Sequence, residues 1–563
     1  MSAMSVRQDV SSHAWGRDLC LLILLAGVLF GFMLGSRPLA VPDEGRYSEI
    51  PREMVVTGDY ITPRINGVKY FEKPVLFYWL ESVSIRFFGI HEWSLRLWPA
   101  LFALLGVLTV YGGGRRLYGH RSGLIAGAVL STSLLYYALS RVVILDMAMT
   151  VLLAAALLAF LLGTHEPPGA GRRLFFWGFY LFAALATMTK GLIGILIPMM
   201  VIGVWILILN EWRMLKMIYL PSGLALFLIV AAPWHILVSQ ANPEFPKFYF
   251  IHEHFLRYLT KIHKRYEPAW YFIPILLLGL FPWTAFLVQS IRHSLPASWR
   301  ERHEHRDALF LMLWAGLVFI FFSASNSKLI PYILPIFPPL AILIGRYLAE
   351  AWDRANMPGI RSGYVILLVT ALALAAAIMT EIHHLIPPET QRLLIYIKVM
   401  ALILILGALF TGVHVRRGSG VPMVFASVII ISVLFLAVLN AGSVFYDRNS
   451  VKELALVLKP SLQTGDEVVC YHGYYQDLPV YLERCVTVTG WTGELKFGNG
   501  IEDVSRWMIN EETFWQRWQS PATVYMLTRR EIYDGLRHDG RWRFYLIAQT
   551  DENVLLCNRE SRP

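Results

Sequence analysis

Cysteine is scarce in this chain. Its 563 residues hold four, Cys20 in the first apolar run and Cys470, Cys485 and Cys557 near the C-terminus. There is no CxxC pair and no zinc-finger spacing, which excludes the common thiolate metal centres. Cys470 and Cys485 bracket a strand–helix–strand stretch, so a disulfide between them is permitted if that stretch lies outside the cell membrane. Charge is scarce as well. Only 16% of residues are Asp, Glu, Lys or Arg, too few for a soluble protein of this size. A glycine-rich phosphate loop between a strand and a helix is also missing, so no nucleotide-sugar site is expected. The first apolar run has no cleavage site after it and reads as a retained segment.

Apolar runs are what the chain has in abundance. Hydrophobic residues make up 56% of it and the mean hydropathy is +0.50. Thirteen runs are long enough to cross a bilayer as helices: 18–37, 94–114, 121–140, 145–163, 174–189, 191–209, 218–238, 271–290, 307–324, 331–348, 364–380, 393–413 and 422–442. The stretch 75–90 holds Glu81 and Arg86 and is short. If it stays in the interface, Arg7, Arg17, Arg115–Arg116, Arg172–Arg173, Arg213, Lys216, the basic run 292–306, Arg354, Arg361 and Arg416–Arg417 all fall on one side. That satisfies the positive-inside rule, so 75–90 is expected to be an amphipathic interfacial helix. The net charge of +10 then belongs to these loops and not to a nucleic-acid surface. Lys398 sits inside a span and has no functional account.

The opposite, outer side receives the loop 38–93, the turn Arg141 to Asp146, the loop 239–270, the turn 323–332 and a soluble tail, 447–563. The tail alternates strand-like runs (EVVCYH, CVTVTG, TVYMLT, RFYLIA, NVLLC) with helix-like ones and reads as an α/β domain. Residues 1–446 form the membrane part.

AVPDEGRYSEIPREM, from Ala40, puts Asp43, Glu44, Glu49 and Glu53 beside the first span. Helical spacing of Tyr47, Ile50 and Met54 makes it a second interfacial helix, with Asp43 at its start. Asp43 and Glu44 are either functional or complements of the helix dipole, while Glu49, Arg52 and Glu53 read as a solvated face. Asp146 ends a span and needs a partner or a wet cavity; Arg141 is one candidate partner. Lys69 and Lys73 flank Glu72. Lys190 and Lys328 lie in separate outer turns, with Tyr332 close behind. Lysines at headgroup level suit phosphate. In FYFIHEHFLRYLTKIHKRYEPAW, from 248, the basic residues suit an anionic lipid headgroup. The HEH triplet with Glu72 is either a divalent-metal site or ordinary loop polarity.

PDEGRYSEIPREM, GDYITP, YFEKP, ILDMAM, MTKG, EHFLRY, WYFIPILLLGLFPW and SKLIPYILP resemble, in order, the motifs of bacterial GT-C glycosyltransferases of the protein-mannosyltransferase superfamily. The likeness is strongest to the 4-amino-4-deoxy-L-arabinose lipid A transferase family and is dense from about 18 to 350. It implies a polytopic α-helical membrane protein of GT-C fold, with about 13 transmembrane helices, periplasmic interfacial helices and a C-terminal α/β periplasmic domain in the bacterial inner membrane. It implies transfer of the aminosugar from undecaprenyl phosphate to a lipid A phosphate, giving resistance to polymyxin and cationic peptides. It implies that Asp43 and Asp146 are the catalytic acids and that Lys73, Lys190, Lys328, Tyr332 and Arg257 hold the donor phosphate. Arg46, Lys69, Lys261, Lys264 and Arg265 are expected at the acceptor or lipid headgroup. His254 matches the family's EH pair and Glu72 its FEK triplet; these two are the candidate ligands if a divalent metal binds. Membrane lipids are expected partners, nucleic acid is not, and the protein is expected to be a monomer that inverts the anomeric carbon. The chain reads Lys328-Leu329-Ile330-Pro331-Tyr332 where the family has lysine-leucine-proline-x-tyrosine, so its proline is shifted by one.

Two other readings stay open. A polyprenyl-phosphate-mannose-dependent protein O-mannosyltransferase shares the superfamily motifs. A lipid-linked sugar transporter would instead place its polar residues at the bilayer midplane in two related halves, for which the sequence gives no sign.

Overall fold

The computed structural model describes residues 12–256, 267–354, 359–385, 391–417, 421–444 and 449–560. All thirteen apolar runs lie on a helix or a helix pair. Fewer are straight, full-length spans than the sequence suggests. Eight helices among the described residues are long and apolar enough to cross a membrane, and a bent pair makes a ninth. The shortfall has local causes. The run 121–140 is broken at Ser133, whose extended backbone separates His120–Thr132 from Leu134–Leu139. The run 271–290 turns through 102° between Phe272–Gly279 and Trp283–Ser294. Pro282 stands at that break and has no N–H to continue the helix. Ile193–Leu209 has 17 residues, and Ala170–Lys190 carries Arg172, Arg173 and Lys190. The protein is a multi-pass membrane protein.

The helix Leu145–Gly163 is the axis of the bundle. In its apolar window 83% of the residues are buried, against 22% for Leu220–Ala241 and 28% for Ile360–Thr380 at the periphery. A helix apolar on every side belongs in such a place. Its first turn carries Asp146, so one of the two most deeply packed spans, the other being Ile330–Arg354 at 89%, also fixes one of the predicted acids. Lys398 is exposed on the bundle surface, where its flexible stem can carry the ammonium toward headgroups.

Both stretches expected at the interface are helices, Asp43–Thr57 and Leu76–Phe88. Between them the strands β1 (Arg64–Ile65) and β2 (Val68–Lys69) form an antiparallel hairpin. Asn66 and Gly67 link them, both with φ positive, 53° and 76°, as a two-residue hairpin turn requires. A Cβ at Gly67 would lie 2.4 Å from Nε1 of Trp507. The Asn66 amide donates to the carbonyl of Val486 and its Oδ1 accepts from the Val486 N–H, both at 2.8 Å.

Val486 belongs to the C-terminal domain, a six-stranded sheet. Its strands are β3 (Glu467–Tyr471), β4 (Thr487–Thr489), β5 (Met508–Ile509), β6 (Val524–Arg529), β7 (Tyr545–Gln549) and β8 (Asn553–Cys557), in the order β5-β4-β3-β6-β8-β7. The first four are parallel and β8 is antiparallel to both neighbours. Five of the six coincide with the strand-like runs; β5, two residues long, has no pattern of its own.

This domain sits directly on the acid-rich helix. A Cβ at Gly45 would be 2.5 Å from the backbone nitrogen of Asp477, so the two backbones touch there. The contact corrects the reading of Glu49, Arg52 and Glu53 as solvated: all three are buried. Arg52 donates to both oxygens of Glu49, at 2.6 and 2.5 Å. Glu53 accepts from the N–H of Gly67 at 3.0 Å, and burial together with Glu49 pushes its carboxyl well above the ordinary range. Ligand atoms of Glu49, Glu53 and Cys485 lie within 4.8 Å of one another, but Arg52 already supplies their cation.

All four cysteines are free thiols, so no disulfide joins Cys470 to Cys485. Burial raises the thiols of Cys470 and Cys485 to about 12. The thiolate is the reactive form. Neither is expected to react with iodoacetamide in the folded protein at pH 8, and both should react after denaturation without reductant. Mass spectrometry of the alkylated protein checks this.

Candidate active site

The predicted residues that the structure describes fall mainly into two groups. Lys190, ending its helix, forms an ion pair with Asp146, beginning the next-door axial helix. The Lys190 ammonium also stands 4.7 Å from the ring centre of Tyr332. The shifted proline therefore does not aim Tyr332 away from this group. Arg141 is not the partner of Asp146. Its guanidinium donates to the carbonyls of Phe30 and Phe32 and to Asn440.

The second group is built on the acid-rich helix. Asp43 opens it, with its side chain 53% exposed and Oδ1 3.3 Å from Nη1 of Arg46. Arg46 lies one turn on and is buried. Its other terminal nitrogen forms an ion pair with Glu494 of the C-terminal domain. Burial raises the Glu494 carboxyl and Arg46 pulls it back. Sequence reasoning missed Glu494, since nothing near WTGELKF marks an acid that docks elsewhere.

Tyr47 joins the two groups. It is fully buried, and its phenol feels the charges of Arg46, Asp43, Glu72 and Asp146. Tyr70 and Tyr78, also buried, feel Arg46, Glu72 and Glu494. The hydroxyls of Tyr70 and Tyr78, and Nε of Arg46, have no hydrogen-bond partner among the described residues. Buried polar atoms without partners are rare. Several around one carboxylate mark a place where a polar ligand completes the bonding.

The other lysines expected at the site have different engagements. Lys73 donates to the carbonyl of Glu72 at 2.8 Å and lies 3.9 Å from the buried carboxylate of Glu253. Lys328 is buried, donates to the carbonyls of Ser325 and Glu267 at 2.6 and 2.8 Å, and has its ammonium pKa lowered by that burial. Lys69 does not point into the centre as a spare charge; it forms an ion pair with Glu244 at 2.8 Å. Arg257, Lys261, Lys264, Arg265 and the side chain of His254 lie outside the described residues. His252 contacts Glu253 at 3.3 Å.

The profile of the dolichyl-phosphate-mannose-protein mannosyltransferase family matches residues 72–237, and that of the aminoarabinose transferase C-terminal domain matches residues 454–558. The undecaprenyl phosphate-alpha-4-amino-4-deoxy-L-arabinose arabinosyl transferase of Yersinia enterocolitica is 31% identical over 68% of this chain and 69% of its own length. The chain belongs to that transferase family. A relative of the same description from Sodalis glossinidius is 29% identical over 96% of this chain and 98% of its own. Alignments with those from Enterobacter sp. and Edwardsiella ictaluri span 59% and 62% of those proteins. The crystal structure of ArnT from Cupriavidus metallidurans bound to undecaprenyl phosphate superposes with a TM-score of 0.86, at 28% identity, covering 98% of this chain and 99% of that one. The fold is therefore the GT-C transferase fold, a helical membrane bundle with a C-terminal sheet domain. An archaeal oligosaccharyltransferase from Archaeoglobus fulgidus shares it at a TM-score of 0.50 and 12% identity.

Proposed function

We propose that the protein transfers 4-amino-4-deoxy-L-arabinose from undecaprenyl phosphate to a phosphate of lipid A, at the periplasmic face of a bacterial inner membrane. The reading rests on one observation. The charges of Asp43, Asp146, Arg46 and Glu72 all act on the buried Tyr47, and Lys190 pairs with Asp146 beside Tyr332.

The chemistry is a displacement at the anomeric carbon. An acceptor phosphate oxygen forms the new C–O bond. The bond to the donor phosphate breaks, and its electron pair leaves on undecaprenyl phosphate. That leaving group is a stable anion, so it needs cations more than a proton. Lys73, Lys190 and Lys328 would supply them. The acceptor phosphate is already ionised near neutral pH, so no base need remove a proton. Asp43, half-exposed and loosely held, is free to orient the acceptor, meet the sugar's ammonium or stabilise positive charge at the anomeric carbon. Glu72, Glu494 and the hydroxyls of Tyr70 and Tyr78 line the place for the sugar. Masking the lipid A phosphate would weaken attraction for polymyxin.

The test is direct transfer. Purified protein is incubated with undecaprenyl-phosphate aminoarabinose and lipid A, and separately with polyprenyl-phosphate mannose and a secreted polypeptide. Sugar on lipid A alone is expected. Transfer to the polypeptide but not to lipid A would replace this reading with protein mannosylation.

A further inference from the structure

Three arginines share a cavity on the far side of the acid-rich helix's first turn from the site. The cavity is about 190 Å³ and is lined by Arg37, Arg96 and Arg141 together with Met33, Leu34, Tyr137 and Leu439. One carboxylate, Glu44, pairs with two of them. Glu44 accepts from Arg96 at 2.8 Å on each oxygen and from Arg37 at 3.0 Å. Glu92, the other acid whose charge Arg96 feels, is paired with Lys452. Arg141 is buried, and among the described residues it meets only carbonyls, Asn440 and the face of Tyr137. Burial and the neighbouring Arg96 and Arg37 pull its pKa below the ordinary arginine value. The cluster thus holds three guanidiniums against one carboxylate, an excess of two positive charges.

Buried cations gathered without enough acids are costly unless an anion joins them. The walls say what carries that anion. Met33 and Leu34 follow the first membrane helix, and Leu439, Asn440 and Ser443 end the last one, Val421–Ser443. Met33 is exposed on the bundle's outer surface, and Arg37 keeps its side chain 24% exposed. The lining combines three arginines with apolar residues from the ends of two helices, the pattern of a headgroup pocket between membrane helices. Arg96 spends its donors on Glu44 and the carbonyls of Leu34, Arg37 and Pro38, so Arg37 and Arg141 are the ones that would meet the phosphate oxygens.

We propose that this cavity binds the phosphate of an anionic lipid, with its acyl chain along Met33, Leu34 and Leu439. The bound phosphate would neutralise the cluster and brace Glu44, whose Oε1 also accepts from the N–H of Val143 three residues before Asp146. None of the cavity's lining residues is among those assigned above to donor or acceptor, and the inference depends only on the chain's membrane-spanning character.

Native mass spectrometry of the detergent-purified protein tests it, with phosphatidylglycerol, phosphatidylethanolamine and inorganic phosphate as probes. One phosphatidylglycerol should be retained in preference to phosphatidylethanolamine. Arg37→Gln and, independently, Ser443→Asp at the mouth should each lower that retention about tenfold, as loss of a charge-assisted contact does. Arg37→Gln leaves Glu44 its paired bonds from Arg96, and Ser443 contributes only a bond to its own helix, so the two variants perturb the fold by different routes. Equal retention of both lipids, unchanged retention in both variants, or displacement by millimolar inorganic phosphate would overturn the proposal; the last outcome would assign a soluble-anion site.

Discussion

Glu44→Gln is expected to destabilise the detergent-purified protein by about 3–5 kcal/mol, the usual effect of removing one partner from a buried ion pair. Glu44 is fully buried and binds Arg96, Arg37, the N–H of Ala40 and the N–H of Val143. Glutamine keeps the shape and loses the charge. Arg96, also buried, would then face its carbonyl partners Leu34, Arg37 and Pro38 with no anion. The pH dependence has a definite sign. Although burial opposes ionisation, Arg96 and Arg37 outweigh it and hold the Glu44 carboxyl at about 2, below its ordinary 4.5. A depressed carboxyl stabilises the fold fully above its ordinary value and loses that contribution as pH falls toward the folded one. Thermal unfolding of the wild type should therefore weaken between about pH 4.5 and 2, and Glu44→Gln should flatten that part of the curve. An unchanged melting temperature in the variant would show that the arginines need no anion from the chain.

Asp43→Asn, one residue away, is expected to do the reverse. Its side chain is half exposed and, among the described residues, its one polar contact is Arg46, which keeps Glu494 when Asp43 is neutralised. Stability should hardly move. Activity should fall by about 10²–10³, the scale on which lost electrostatic stabilisation at a reacting centre is felt. Lipid A mass spectrometry in a strain lacking its own transferase reads the result, with the melting temperature as control. Full modification by the variant would remove Asp43 from the mechanism. Asp146→Asn does not separate the two effects, because it leaves Lys190 without its carboxylate.

The sequence made the membrane part legible because lipid imposes a simple rule on it. Each apolar run became helix, and the charge asymmetry correctly kept Leu76–Phe88 out of the spans. What failed was straightness, where single residues such as Ser133 and Pro282 decide the path. In the site, Asp146 with Lys190 and Tyr332 could be anticipated, since each ends a recognisable run. Glu494 could not be, because its partner Arg46 is more than four hundred residues away and no local periodicity links them. Glu49, Arg52 and Glu53 misled for the same reason. Their spacing is that of a surface face, and only the later domain covers it.

The seam at Gly45 also has a consequence for descent. The helix that presents Asp43 is wedged against one half of the molecule, and its arginine finds a counter-ion in the other. A tail transplanted from a distant cousin would have to bring an acid to the same spot and keep a flat surface opposite the glycine. Residues on the two sides of that joint should therefore change in concert across lineages, and hybrids that cut between them should fail unless both sides are exchanged together.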